Sequence, residues 1–161
     1  LLSCRDHVDY LVTAALRETD HGSQQAKVAH RALAESLEQA GCWLDAARHW
    51  AIAKDVTRAR ELLERSDDSA PDLWLNAIAE AFPRAGVDAI SESLIEKWVR
   101  FSEVLGDVQS ARAVCEHLTK HGRQDQGVIT IAKALIRQGR YQDAIDEIRP
   151  WEVKKILGDR L

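Results

Sequence analysis

Methionine is absent from the 161 residues, proline appears three times and glycine only eight. With no initiator Met, the chain is expected to be a piece of a longer protein. So few breakers leave long uninterrupted segments, which favours helices. No apolar run reaches the roughly 18 residues that a membrane-spanning helix needs, so membrane insertion is not expected. The opening Leu1-Leu2-Ser3-Cys4-Arg5-Asp6 also lacks the basic, apolar and small-residue order of a signal peptide. The three cysteines, Cys4, Cys42 and Cys115, are odd in number and far apart, with no Cys-x-x-Cys. That argues against a disulfide framework and for reduced thiols in a cytoplasmic protein. A basic excess is missing too: the net charge is −4, which argues against direct nucleic-acid binding as the main task. No Gly-rich phosphate loop and no Gly-x-Ser-x-Gly is present, so neither a P-loop nucleotide site nor a nucleophile elbow is expected.

What is present is ordinary for a globular chain: 45% hydrophobic and 30% charged residues. A chain of this length can bury roughly two-thirds of its unfolded surface. One short pattern recurs. Gly41 is followed five residues later by Ala46, Gly106 by Ala111, and Gly139 by Ala144. A further copy has lysine in the glycine slot, with Lys54, Asp55 and Ala59, and it matches the Gly106 copy at Asp, Val, Ala and Arg. A glycine just past a helix end can adopt the positive φ that closes the last carbonyls. The alanine then falls where a small side chain lets two helices approach. Gly106 and Gly139 are 33 residues apart, and Gly41 and Gly106 are 65 apart, close to twice that. A period near 33 is the size of one helix–turn–helix unit of a helical solenoid.

The apolar spacing predicts helices over 5–19, 24–40, 43–54 and 56–65, then over 71–82, 89–105, 107–121, 124–138 and 141–148. Asp55 and Asp107 are expected caps. Pro71 suits a first helical position, residues 83–88 are expected as a loop, and Pro150 is expected to break the last helix before a short turn over 151–157. Val28, Leu33, Ala34 and Leu37 are expected on one buried stripe, as are Val128, Ile131, Ala132, Leu135 and Ile136. Leu105 and Trp43 are also placed inward.

Candidate chemistry is sparse. His117 and His121 are four apart and could share a helix face, but the pattern lacks the Glu of His-Glu-x-x-His and no third ligand is obvious. Cys115, though close in sequence, is expected to point elsewhere; the two histidines are read as polar residues at a helix C-terminus, and no metal or other cofactor is expected. Asp67-Asp68 is read as a solvated loop. Five tryptophans are many for this length; Trp43, Trp50, Trp74 and Trp98 fit core positions, whereas Trp151 is a candidate partner contact. Arg48, Arg58, Arg60 and Arg112 all flank the repeated turn and are the candidate partner-binding ladder.

The stretch Ala29-His30-Arg31-Ala32-Leu33-Ala34-Glu35-Ser36-Leu37-Glu38-Gln39-Ala40-Gly41 continues with Asp45-Ala46-Ala47-Arg48-His49, Ala53-Lys54-Asp55 and Ala59-Arg60-Glu61-Leu62-Leu63-Glu64. It resembles the helical region that follows the ATPase core in MalT-type LuxR-family regulators of the STAND class of signalling ATPases. Asp6-His7-Val8-Asp9-Tyr10-Leu11 is similar to the last helix of that family's winged-helix module. The resemblance covers about residues 5 to 65, and Lys54 departs from it by replacing a small residue. It implies a solenoid that senses an inducer or transmits its signal. The chain carries neither the ATPase core nor a DNA-binding helix-turn-helix, so neither activity is implied for it. The same turns are also similar to those of tetratricopeptide-like solenoids in coat and intraflagellar-transport complexes, which implies a subunit-joining role.

The expectation is therefore an all-α protein, a right-handed α-solenoid of antiparallel helix pairs, with residues 1–65 forming the first pairs and 71–161 the later ones in a single helical-repeat domain. Its expected partners are other proteins or a peptide. A helical enzyme domain is the remaining alternative, and no convergent titratable groups point to one.

Overall fold

The computed structural model describes residues 24–81 and 90–158, with side chains through Glu152. Among the described residues there are eight α-helices and no strand: α1 (Gln24–Gln39), α2 (Trp43–Ile52), α3 (Val56–Arg65), α4 (Pro71–Ala81), α5 (Glu92–Leu105), α6 (Val108–Lys120), α7 (Gln124–Arg137) and α8 (Tyr141–Gly158). The expected helix over 5–19 and the expected loop over 83–88 lie outside the described residues. Two compact units form, Leu1–Ala89 and Ile90–Leu161. The helix from Pro71 thus belongs with the first unit rather than with the later helices, because it packs on α2 and α3.

Within each unit the packing follows chain order. In the first, α1 packs on α2, α2 on α3, and α4 on both α2 and α3. In the second, α5 packs on α6 and α7, α6 on α7, and α7 on α8. Contacts thus fall between neighbours and next-but-one neighbours.

The turns explain this regularity. Gly41, Lys54, Gly106, Gly122 and Gly139 all have φ between +66° and +77°. In every case the amide after that residue returns to a carbonyl five residues back: Cys42 to Leu37, Asp55 to Trp50, Asp107 to Ser102, Arg123 to Leu118 and Arg140 to Leu135, at 2.8–3.0 Å. The positive-φ residue itself donates three residues back. This is the hydrogen-bonding of a left-handed helix cap, which satisfies carbonyls that the helix end would otherwise orphan. Asp55 and Asp107 then start the next helix as expected, their carboxylates accepting from the amides of Arg58 and Ser110.

Five residues after each turn glycine or lysine stands a small, buried residue. Ala46, Ala59 and Ala111 are fully buried and Ala144 nearly so. The fifth position is Gly127, which makes Gly122–Gly127 a further copy that the sequence pattern, keyed to alanine, passed over. Its need for a small side chain is the most stringent of the set. A Cβ at Gly127 would sit 2.4 Å from the Cys115 sulfur and 3.1 Å from the Cys115 Cα, so α6 and α7 are at backbone contact there.

The cores are built around large side chains with almost no exposed surface: Leu62, Leu63, Trp74 and Ile78 in the first unit, and Leu94, Val114, Leu118 and Leu135 in the second. Each such aliphatic side chain contributes about 1.5–3 kcal/mol by leaving water. Buried polar groups are answered locally. The Trp74 indole donates to the Leu63 carbonyl, and the Ser102 hydroxyl donates to the Trp98 carbonyl.

Several inward assignments need correction. Val28 is 60% exposed, because the buried face of α1 runs through Ala26, His30, Leu33, Ala34 and Leu37 and two residues turn a helix by about 200°. Ile136 is 48% exposed, one residue off the stripe that ends at Leu135, and Leu105 is exposed at the end of α5. Trp43 is only half-buried. The helix expected from residue 89 begins at Glu92, where the Ser91 hydroxyl accepts from the Leu94 amide. Pro150 does not break α8. It and Asp146, whose carbonyl loses its helical donor, are both exposed, so water can replace the missing bond.

Candidate interaction surface

Arg48, Arg58 and Arg112, proposed as part of a ladder, hold carboxylates of their own unit. Arg58 sits at the centre of the strongest cluster. Its guanidinium donates to both oxygens of Glu38, through Nε at 3.2 Å and through a close ion pair at the other end, and to Glu61 at 2.7 Å. Glu38 accepts a further bond from the Trp50 indole at 3.2 Å. Glu38 lies on α1, Trp50 on α2 and Arg58 on α3, so one carboxylate ties three helices. The Arg58 guanidinium holds the Glu38 carboxyl below the usual carboxylate range, with Trp50 helping, against a smaller opposing effect of burial. Arg48 pairs with Glu80 of α4 at 3.5 Å. Arg112 pairs with Glu147 of α8 at 2.7 Å. Arg60 is half-buried on α3. Reversing Arg58 and Arg112 would therefore break ties between helices as well as alter the surface.

The tryptophans are also used internally. Trp50 and Trp98 are almost fully buried, and the Trp98 indole donates to the Ser110 hydroxyl at 2.7 Å. Trp151 donates to Asp125 at 3.0 Å, which links α8 to the first turn of α7. The Arg65 guanidinium covers the half-buried Trp43 ring at 5.1 Å.

The His117 and His121 rings lie 4.5 Å apart, tilted by 41°. The side chain of His117 is buried and its Nδ1 has no hydrogen-bond partner. Burial, then the neighbouring His121 and Lys120, push its imidazole below the usual histidine range. No group of three or more potential metal ligands occurs among the described residues. Burial pushes the Cys115 thiol up, which keeps it protonated and poorly nucleophilic.

A surface feature that the sequence reading passed over lies where α1, the end of α2 and the start of α3 meet. A cleft of about 400 Å3 is lined there by Lys27, Val28, Arg31, Trp50, Lys54 and Val56 among others. Arg31 lies 5.6 Å over the Trp50 ring and is only loosely paired with Glu35, at 3.7 Å between two exposed side chains. The signal was available in part: lysine in a slot that otherwise holds glycine.

No protein family matches the chain, and no curated protein or solved structure matches it significantly.

Proposed function

We propose that the chain is a helical-repeat module that binds other proteins, its helices arranged in each unit as a right-handed solenoid of antiparallel pairs. The observation that carries this reading is the recurrence of one turn five times, with positive φ, the same returning hydrogen bonds and a small residue, alanine or glycine, five positions on. Such repetition serves stacking, and stacked helix pairs offer long faces to partners. Two of the five turns, at Gly41 and Lys54, lie in the stretch that resembles the post-ATPase helices of STAND-type regulators. On the longer resemblance, over residues 5 to 65, a sensor or signal-transmitting solenoid is put first, with a subunit-joining one, whose turns are also similar, as the second reading.

Affinity purification of the intact parent protein, with quantification of what co-purifies, tests this. Self-association that depends on nucleotide or ligand, without a constant partner, supports the sensor reading. A stoichiometric, salt-stable set of partners supports the subunit-joining reading instead. A monomer with neither behaviour refutes both.

A further inference from the structure

Four of the five turns place glycine at the positive φ, and one places Lys54 there, at +66°. That backbone conformation is strained for a residue with a Cβ, and a strained residue kept on a surface turn is a pointer to function. Among the described residues Lys54 makes no ion pair, and neither does Lys27, one turn into α1. Yet both line the same cleft, together with Arg31. Three cations thus converge on one concavity of a chain whose net charge is −4. The carboxylate on its rim, Asp55, is occupied in capping α3 through the Arg58 amide at 3.1 Å. Apolar side chains share the lining with the cations and with the polar Gln24 and Thr57: Val28, 60% exposed although valine gains from burial, and Val56.

We propose that this cleft binds an acidic peptide segment, its carboxylates on Lys27, Arg31 and Lys54 and one aliphatic side chain against Val28 and Val56. The valines set among the charges favour a peptide over a phosphate, which would use only the charges. The volume, about 400 Å3, lies within the roughly 300–1,000 Å3 range of binding clefts. The proposal rests on the reading of the chain as a protein-binding module and names the chemistry of what one of its faces takes.

The test uses the 161-residue chain and a labelled heptapeptide of glutamates around a central leucine, read by fluorescence anisotropy at low salt. Binding is expected, with none for the counterpart in which glutamine replaces every glutamate. Lys54→Gly is expected to weaken it roughly threefold to fivefold, and Lys27→Gln by a similar factor. Because glycine relieves the strain at position 54, that variant is expected to be the more heat-resistant protein, so its loss of affinity cannot be put down to unfolding. Absence of binding, equal binding of the glutamine peptide, or unchanged affinity in Lys54→Gly overturns the proposal. So does tighter, Lys54-dependent binding of a short single-stranded oligonucleotide, which would assign the cleft to phosphates. A parent protein that still retains its partners, or still self-associates, with both lysines replaced would retire the cleft alone and leave the protein-binding reading standing.

Discussion

Gly127 gives the sharpest test of the packing. In an exposed helix, replacing glycine by alanine gains about 1 kcal/mol from backbone entropy. At Gly127 the new methyl would lie 2.4 Å from the Cys115 sulfur, 3.0 Å from its Cβ and 3.1 Å from its Cα. The sulfur could rotate away, but the Cα belongs to the backbone of α6, so α6 and α7 must part. Overpacking of this kind costs about 1–3 kcal/mol. Set against the propensity gain, Gly127→Ala is expected to destabilise by about 1 kcal/mol net, or to sit near neutral at the low end of that cost. The comparison that removes this ambiguity is a double-mutant cycle with Cys115→Ala, which deletes the sulfur and leaves the two longer contacts. Urea unfolding followed by circular dichroism should show the double variant more stable than the sum of the single changes predicts, by about 0.5–3 kcal/mol. A Gly127→Ala protein about 1 kcal/mol more stable than the parent, with no coupling to Cys115, would refute the close crossing of α6 and α7.

Further predictions concern single groups. Lys54→Gly should raise stability by about 1 kcal/mol, the strain of a non-glycine residue in the left-handed region less the extra freedom glycine has when unfolded, and an unchanged or lower urea midpoint would contradict the assigned φ. The His117 imidazole titrates below its ordinary 6.5, so the unfolded chain takes up the proton first and stability should fall as pH drops through 6.5 toward the folded value. His117→Leu should flatten that part of the pH–stability curve, and an equally steep fall in the variant would place the titrating group elsewhere. The depressed Glu38 carboxyl works in the same direction at lower pH: its contribution is present above its unfolded pKa and lost as pH falls through the folded one. Glu38→Gln should lower stability at neutral pH and narrow the difference from the parent in acid, as thermal unfolding at several pH values will show.

How far the sequence reading reached depended on how local each determinant was. Caps and turns were readable because they lie within six residues: Asp55, Asp107 and the glycines at 41, 106 and 139 all behave as their chemistry dictates. Gly127 was missed because its requirement is set by Cys115, a residue on another helix, and because glycine within a helix resembles a defect until its neighbour is seen. Val28 and Ile136 were placed inward on hydrophobicity alone, yet each stands a fraction of a helical turn off the stripe that tertiary contact selects. The arginines were found as a group, but not their use, since Glu38, Glu80 and Glu147 come from other helices. The cleft at Lys54 was half visible, as a lysine out of place, and only the meeting of three helices set Lys27 and Arg31 beside it.

The constancy of the turn also decides where this chain can tolerate a change of length. Five of the eight described helices take their rotational phase from the positive-φ residue before them, with the inward position falling five residues later. One residue inserted just after Gly106 would rotate the helix that follows by about 100° and set Ser110, Ala113 and Glu116 in the places where Ala111, Val114 and His117 now face inward. Seven residues inserted in the middle of a helix would leave the phase nearly unchanged and simply lengthen that helix. Duplications and deletions that run from one positive-φ residue to the next preserve that phase completely, so a chain of this kind can grow or shrink by whole units while its turns remain fixed in length.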